Sequence, residues 1–320
     1  MHSLRLLLLT IALLTSLAVS NSVTGHQDPE QAGYIEVEGG KIWYRMNGMQ
    51  FLSKKAALIV LHGGPGGTHR SNMPLVDLAN ERPVILYDQL DTGNSERPNN
   101  PENWTVSRFL SEIDSIRKAL QLHNVIVLGH SWGGTLAAEY AVKNPKGLKA
   151  VILSSPLINT QRWIEDADIW RSQLPKDVEE TLRKHEAAGT TNSAEYRAAE
   201  RTFLSRHMCR KTPCPGTEYR ADGPAWNPVL YEYMWGPTEF HATGTLKNYD
   251  VSKRLNTINI PSLMICGEFD EAAPRTCNQY GATIDGNKTV IIPDAGHATM
   301  AENEALYLET IKEFLTNNGL

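Results

Sequence analysis

No run of Lys or Arg and no basic face can be read in the sequence: 31 Lys and Arg stand against 36 Asp and Glu, for a net charge of −5. A nucleic-acid partner is therefore not expected. Apolar runs of the roughly 18 residues a membrane span requires are missing too, so no stable membrane insertion is expected. Cysteine is scarce, with four in 320 residues and none before Cys209. Cys209 and Cys214 lack a second Cys or His pair at a matching distance, which argues against zinc. The Gly-rich stretch after residue 62 lacks the Gly-Lys-Ser/Thr ending of a phosphate loop, which argues against nucleotide binding. Internal repeats and low-complexity tracts are absent as well.

What is present is 41% hydrophobic and 21% charged, ordinary for a globular chain of this length. The first twenty residues differ from the rest. A short basic start ending at Arg5 leads into uncharged Leu6 to Val19, and Ala18-Val19-Ser20 supplies small residues before a cut after Ser20. That pattern reads as a secretion signal, so the chain is expected to be secreted. In an oxidising compartment four cysteines suggest two disulfides. Three pairings exist; Cys209 with Cys214 as a loop staple, and Cys266 with Cys277, is the preferred one. Asn103-Trp104-Thr105 and Asn287-Lys288-Thr289 are sequons, used only if the secretory path is eukaryotic.

Six short apolar runs follow residue 55: 56–61, 83–87, 124–128, 150–153, 262–266 and 289–292. They are continuous rather than alternating, as strands buried on both faces are. Helix-like stretches lie between them, notably 107–122, 135–142 and 305–315, so a parallel sheet covered on both sides is expected. Residues 33–37 and 41–46, joined at Gly39-Gly40, read as an edge hairpin. Residues 157–255 break the rhythm with charged helical stretches (165–171, 177–188, 194–206) and a Pro- and aromatic-rich tail, an insertion placed as a lid over the strand ends. The expected organisation is a signal at 1–20, core at 21–156, helical lid at 157–255 and core again at 256–320.

The strongest chemical signal is Gly129-His130-Ser131-Trp132-Gly133, between an apolar run and an Ala-rich helix. A sharp turn there lifts a serine hydroxyl clear of the sheet, and glycines two before and two after avoid clashes. Serine is a weak nucleophile without a base, itself oriented by an acid, and on such scaffolds the order is Ser, acid, His. His297, in a loop after the last apolar run, fits the base. Asp270 fits the acid, with Glu268 and Asp294 as rivals. His62-Gly63-Gly64-Pro65-Gly66, straight after a strand, suits an oxyanion site, with donors from the N–H of Gly64 or its neighbour and of Trp132.

Together, HGGPG at 62–66, DQLDTGNS at 88–95, GHSWGG at 129–134 and GEFDEAAP at 267–274 resemble the proline iminopeptidase group of serine peptidases in the α/β-hydrolase superfamily. The resemblance runs from about residue 33 to the end. It implies an α/β-hydrolase fold, with a mostly parallel central sheet and an inserted helical lid, and chemistry that needs no metal or organic cofactor. The implied substrate is a peptide, or a small amide or ester, with a free N-terminal amine, cleaved by Ser131, His297 and Asp270 through an acyl-enzyme. The family grips that amine with carboxylates, which points to Glu239 in the lid stretch Gly236–Phe240 and to Glu271. Trp235 and Phe240 are expected either to clasp a pyrrolidine ring or to fill the lid core. One departure is Asp91, where the family's second motif usually has glycine, so the loop there is expected to differ in shape. Two other readings stay open: an amidase or esterase of a small metabolite on the same triad, and a hydrolase-shaped binding protein.

Overall fold

A computed structural model describes residues 28–215 and 226–320. The expected secretion signal at 1–20 lies outside the described residues. Eight strands form one sheet: β1 (Gln31–Val37), β2 (Gly40–Asn47), β3 (Ala57–Leu61), β4 (Val84–Tyr87), β5 (Val125–His130), β6 (Leu148–Ser154), β7 (Ser262–Gly267) and β8 (Lys288–Ile292), in the order β1-β2-β4-β3-β5-β6-β7-β8. The hairpin β1–β2 sits at one edge, as expected, and pairs antiparallel with β4; every later pairing is parallel. All six apolar runs are strands. β3 and β4 are buried at every position because helices cover both faces.

Two buried apolar layers flank the sheet. On one side α1 (Val106–Ala119) and α2 (Trp132–Val142) pack against Ile59, Val127 and Val151; on the other α9 (Glu304–Asn317) meets Leu58, Ile126 and Ile152. Successive strand residues point to opposite faces, so each central strand feeds both layers. α2 is buried along almost its whole length, which explains an Ala-rich sequence with hardly an amphipathic face.

Between β6 and β7 come α3 (Thr160–Arg171), α4 (Lys176–Ala188), α5 (Ala194–His207) and α6 (Pro228–Met234). Side-chain caps start three of them: Asn159 accepts from the Arg162 N–H, Ser193 from Tyr196, and Asn227 from Val229 and Leu230. Leu182, Tyr196, Phe203 and Phe240 form a small apolar core of this insertion, separate from the two sheet layers. α7 (Pro274–Gly281) and α8 (Thr299–Glu302) complete the chain.

The crossover from β3 to β4 runs to one side and the path β5-β6-β7-β8 to the other. A crevice opens at such a reversal, beyond the carboxyl ends of β3 and β5. The two Gly-rich motifs, at 62–67 and 129–134, leave those two strand ends.

Candidate active site

Ser131 stands between β5 and α2 with φ 56° and ψ −120°, a strained conformation for a residue with a side chain. Its N–H donates to Ser154 O (2.9 Å), while its own carbonyl accepts from Gly134 and Thr135. The glycines around it are sterically required. A Cβ on Gly129 would fall 1.9 Å from Gly133 O, and one on Gly133 would fall 2.1 Å from Leu61 O. The turn is thus wedged between β5, α2 and the end of β3.

The 62–67 loop closes over Ser131. Gly67 N–H donates to Gly63 O (3.2 Å), and a Cβ on Gly63 would lie 3.2 Å from Ser131 Cβ. Gly64 sits at φ 128°, open to glycine alone. Trp132 is the first residue of α2, so its N–H has no acceptor within the helix. Among the described residues neither that N–H nor that of Gly64 has a protein acceptor. A buried network pins the loop to the turn: His62 Nε2 accepts from Gln89 N–H (3.0 Å), and the Trp132 indole donates to Gln89 Oε1 (2.8 Å). Burial lowers the His62 pKa, and the bond from Gln89 leaves its proton on Nδ1, toward Gly63 O at 2.8 Å.

Asp270 and His297 meet as the sequence order requires. His297 Nδ1 lies 2.8 Å from Asp270 Oδ1, and both side chains are buried. Burial pushes the Asp270 pKa up, but His297 and the donors from Ser155 and Gly267 outweigh it, so the net shift is downward and the acid stays ionised. The rival carboxylates are removed: Glu268 and Asp294 are exposed and bond to each other, Asp294 N–H donating to Glu268 Oε2 (3.0 Å). Trp163 packs edge-on against the His297 ring at 5.6 Å between centroids.

Ser131, His297, Gly63, Gly64 and Glu239 line one cavity of about 840 Å³, the size of a small-molecule site. Glu271 does not line it. Its carboxylate is fully buried, 3.7 Å from His297 Nε2, and among the described residues neither oxygen has a hydrogen-bond partner. Burial, reinforced by Glu239 and Asp270, raises the Glu271 pKa well above the carboxylate range. Burial also raises that of Glu239, against the pull of His297 and Tyr231. A third carboxylate was not singled out from sequence. Glu200, on α5, lines the cavity beside Glu239 and is held by Arg197 Nη1 at 2.8 Å. In sequence it is one charge in a charged amphipathic helix, and only its near-complete burial distinguishes it.

Of the two expected aromatics, neither lines the cavity. Phe240 packs on Phe203 (4.7 Å) within the insertion's core, and Trp235 packs edge-on against Trp163, its indole donating to Thr238 O. Trp226 and Tyr231 line the cavity instead. Asp91 adopts φ 68°, the left-handed region that glycine favours. Its side chain compensates: Oδ1 accepts from Asn99 N–H and Oδ2 from the Trp104 indole, both at 2.7 Å, while its carbonyl accepts from Asn227 Nδ2 (2.9 Å). Glycine is thus replaced at a glycine-type backbone position, with the bonds of the new carboxylate in compensation.

The sheet order, the turn carrying Ser131 and the cavity above it define an α/β hydrolase. The family model described as "alpha/beta hydrolase fold" matches residues 56–304. The proline iminopeptidase of Heyndrickxia coagulans is 40% identical over 288 residues, 89% of this chain and 98% of that protein. That of Saccharolobus solfataricus is 32% identical over 92% of this chain and 95% of its own length. Among solved structures, VinJ superposes with a TM-score of 0.83 at 32% identity, covering 91% of this chain and 99% of its own. The Mycobacterium smegmatis proline iminopeptidase gives 0.80 at 33%, covering 90% and 98%. The chain belongs to the proline iminopeptidase family of α/β hydrolases.

Proposed function

We propose that this protein is a secreted serine aminopeptidase that releases N-terminal residues, preferentially proline, from peptides. The observation that carries the reading is a set of carboxylates, the half-buried Glu239 and the buried Glu271 and Glu200, gathered around the same cavity as Ser131 and His297. An unpaired carboxyl such as that of Glu271 in a dry site is unfavourable to the fold, and a substrate ammonium supplies the missing hydrogen bonds and charge. In this reading Ser131 Oγ attacks the carbonyl of the first residue while His297 takes its proton, oriented by Asp270. The N–H groups of Trp132 and Gly64 receive the oxyanion. His297 then returns the proton to the leaving amine, and water hydrolyses the acyl-enzyme by the same route. Two cysteine pairs within disulfide distance, Cys209–Cys214 and Cys266–Cys277, support an oxidising destination. N-terminal sequencing of exported protein beginning at Asn21 would establish the cleavage.

The test compares free and N-blocked Pro-arylamide, Ala- and Leu-arylamide and a short acyl ester on the mature protein. Ser131→Ala is expected to lower every rate by about 10⁴ or more. Glu239→Gln with Glu271→Gln should lower kcat/KM for free Pro-arylamide by about 10²–10³ and leave the ester within a few-fold. Because burial holds the Glu239 proton above the usual carboxylate range, the amine grip strengthens as pH rises through that raised value. Free Pro-arylamide should therefore show a second acidic dependence in kcat/KM, beyond the His297 limb that it shares with the ester. Faster cleavage of the ester or the blocked amide would make the protein a metabolite hydrolase on the same triad.

A further inference from the structure

We infer that Ser155 is a positioning residue for the acid–base pair: its hydroxyl holds the Asp270 carboxylate so that Oδ1 faces His297. The inference rests on the triad reading above. Ser155 follows the last residue of β6 and is fully buried. Its φ of 45° lies in the left-handed region, where glycine is the natural occupant. A serine kept in a glycine conformation, buried beside the chemistry, points to a task for its side chain. That side chain donates to Asp270 Oδ2 at 2.5 Å.

The other partners of Asp270 show why one hydroxyl matters. Oδ1 accepts from Ala272 N–H (2.8 Å), in the loop that carries Asp270, and Oδ2 from Gly267 N–H (3.1 Å), the last residue of β7. Both belong to β7 or to the loop leaving it, so neither ties the carboxylate to another strand. Ser155 comes from the neighbouring strand end, where its own N–H donates to Ile265 O of β7 at 2.7 Å. Its hydroxyl also lies 3.4 Å from Thr299 Oγ1, which donates to Gly296 O (2.8 Å) in the loop bearing His297. One oxygen thus touches both the acid and the support of the base. The remaining titratable groups facing Asp270 are His297, Glu271 beside it, and His207 at the end of α5. Of the two side chains bonded to the Asp270 carboxylate, His297 and Ser155, only Ser155 does not titrate.

The experiment measures kcat, KM and the pH profile for Ser155→Ala and Ser155→Gly, with thermal melting, on both Pro-arylamide and the acyl ester. Loss of a charge-assisted donor should lower kcat on the order of 10- to 100-fold in both variants with KM within about twofold. The less stabilised carboxylate lets the Asp270–His297 pair keep its proton to higher pH, so the acidic limb of kcat should move upward. Glycine suits the backbone at this position. If Ser155 served only the turn, Ser155→Gly would restore the activity that Ser155→Ala loses, and that result, or an unmoved acidic limb, would overturn the inference. Should Ser155→Ala prove too unstable to assay, Ser155→Gly alone decides. Asp270→Asn is run in parallel: if it stays active the triad reading has failed, whereas an inactive Asp270→Asn beside fully active Ser155 variants sinks only the inference about Ser155.

Discussion

Glu271 is buried next to Asp270, and among the described residues neither of its carboxylate oxygens is hydrogen-bonded. Its folded pKa is raised, so it favours the folded state fully below the unfolded value near 4.5, and that contribution is lost as pH rises toward the folded value. Glu271→Gln, neutral at every pH, is expected to raise Tm by roughly 2–6 °C at pH 8 and by much less at pH 4. Equal shifts at the two pH values would show that the carboxyl is not proton-linked. The same substitution is expected to weaken turnover of free-amine substrates, a stability–function conflict at one residue. The placement of Ser131 at the end of β5 and the meeting of Asp270 with His297 were legible from residue type and chain order. Glu200 was not, because nothing in a charged helix distinguishes the buried carboxylate from solvated ones until the packing is seen.

Two loops show how elements hold the site. Asp91 ties the 88–99 loop to Trp104 and to Asn227 at the start of α6. Asp91→Ala loses both side-chain bonds and keeps the unfavourable φ, and should destabilise by about 2–4 kcal/mol. Asp91→Gly regains the backbone conformation and should lose less; denaturant melts of the pair would measure the difference, and a more damaging glycine would refute this account of the loop. The second loop, 267–273, carries Asp270 and Glu271 between Cys266 and Cys277, which are 11 residues apart. Closing so short a loop is worth roughly 3 kcal/mol on the chain-entropy account. Replacing both cysteines by serine should lower Tm by several degrees and reduce kcat more than KM, since the acid rides on that loop. Strand runs and helix periodicity made these elements legible in sequence, but which loop touches which was not.

At the scale of the whole molecule, the α3–α6 insertion is bonded directly to the loops that carry Asp270 and His297. His297 N–H donates to His207 O (2.8 Å) and Ala298 N–H to Met208 O (2.7 Å), at the end of α5. The Trp170 indole of α3 donates to Asp270 O (3.0 Å), and His207 lies 2.8 Å from Phe269 O. Glu302 joins the same junction, accepting from Arg210 N–H and Gly296 N–H. An insertion so bonded should unfold with the core in one transition, with tryptophan fluorescence and far-UV circular dichroism melting together. Two separated transitions would show that the insertion is an independent unit.

By itself the sequence determined the parallel sheet, the chain order Ser131, Asp270, His297 at strand ends and the demand for glycine around Ser131, because these follow from local rules: continuous apolar runs, strand-to-turn-to-helix chemistry and steric room. Tertiary structure alone decided that Asp270 rather than Glu268 or Asp294 meets His297. It also decided that Phe240 belongs to the insertion's core, that Glu200 joins Glu239 at the cavity, and that Ser155 reaches Asp270 from another strand. Each of these depends on burial and on contacts between residues far apart in the chain, and burial is what separates a solvated charge from one enclosed beside the cavity.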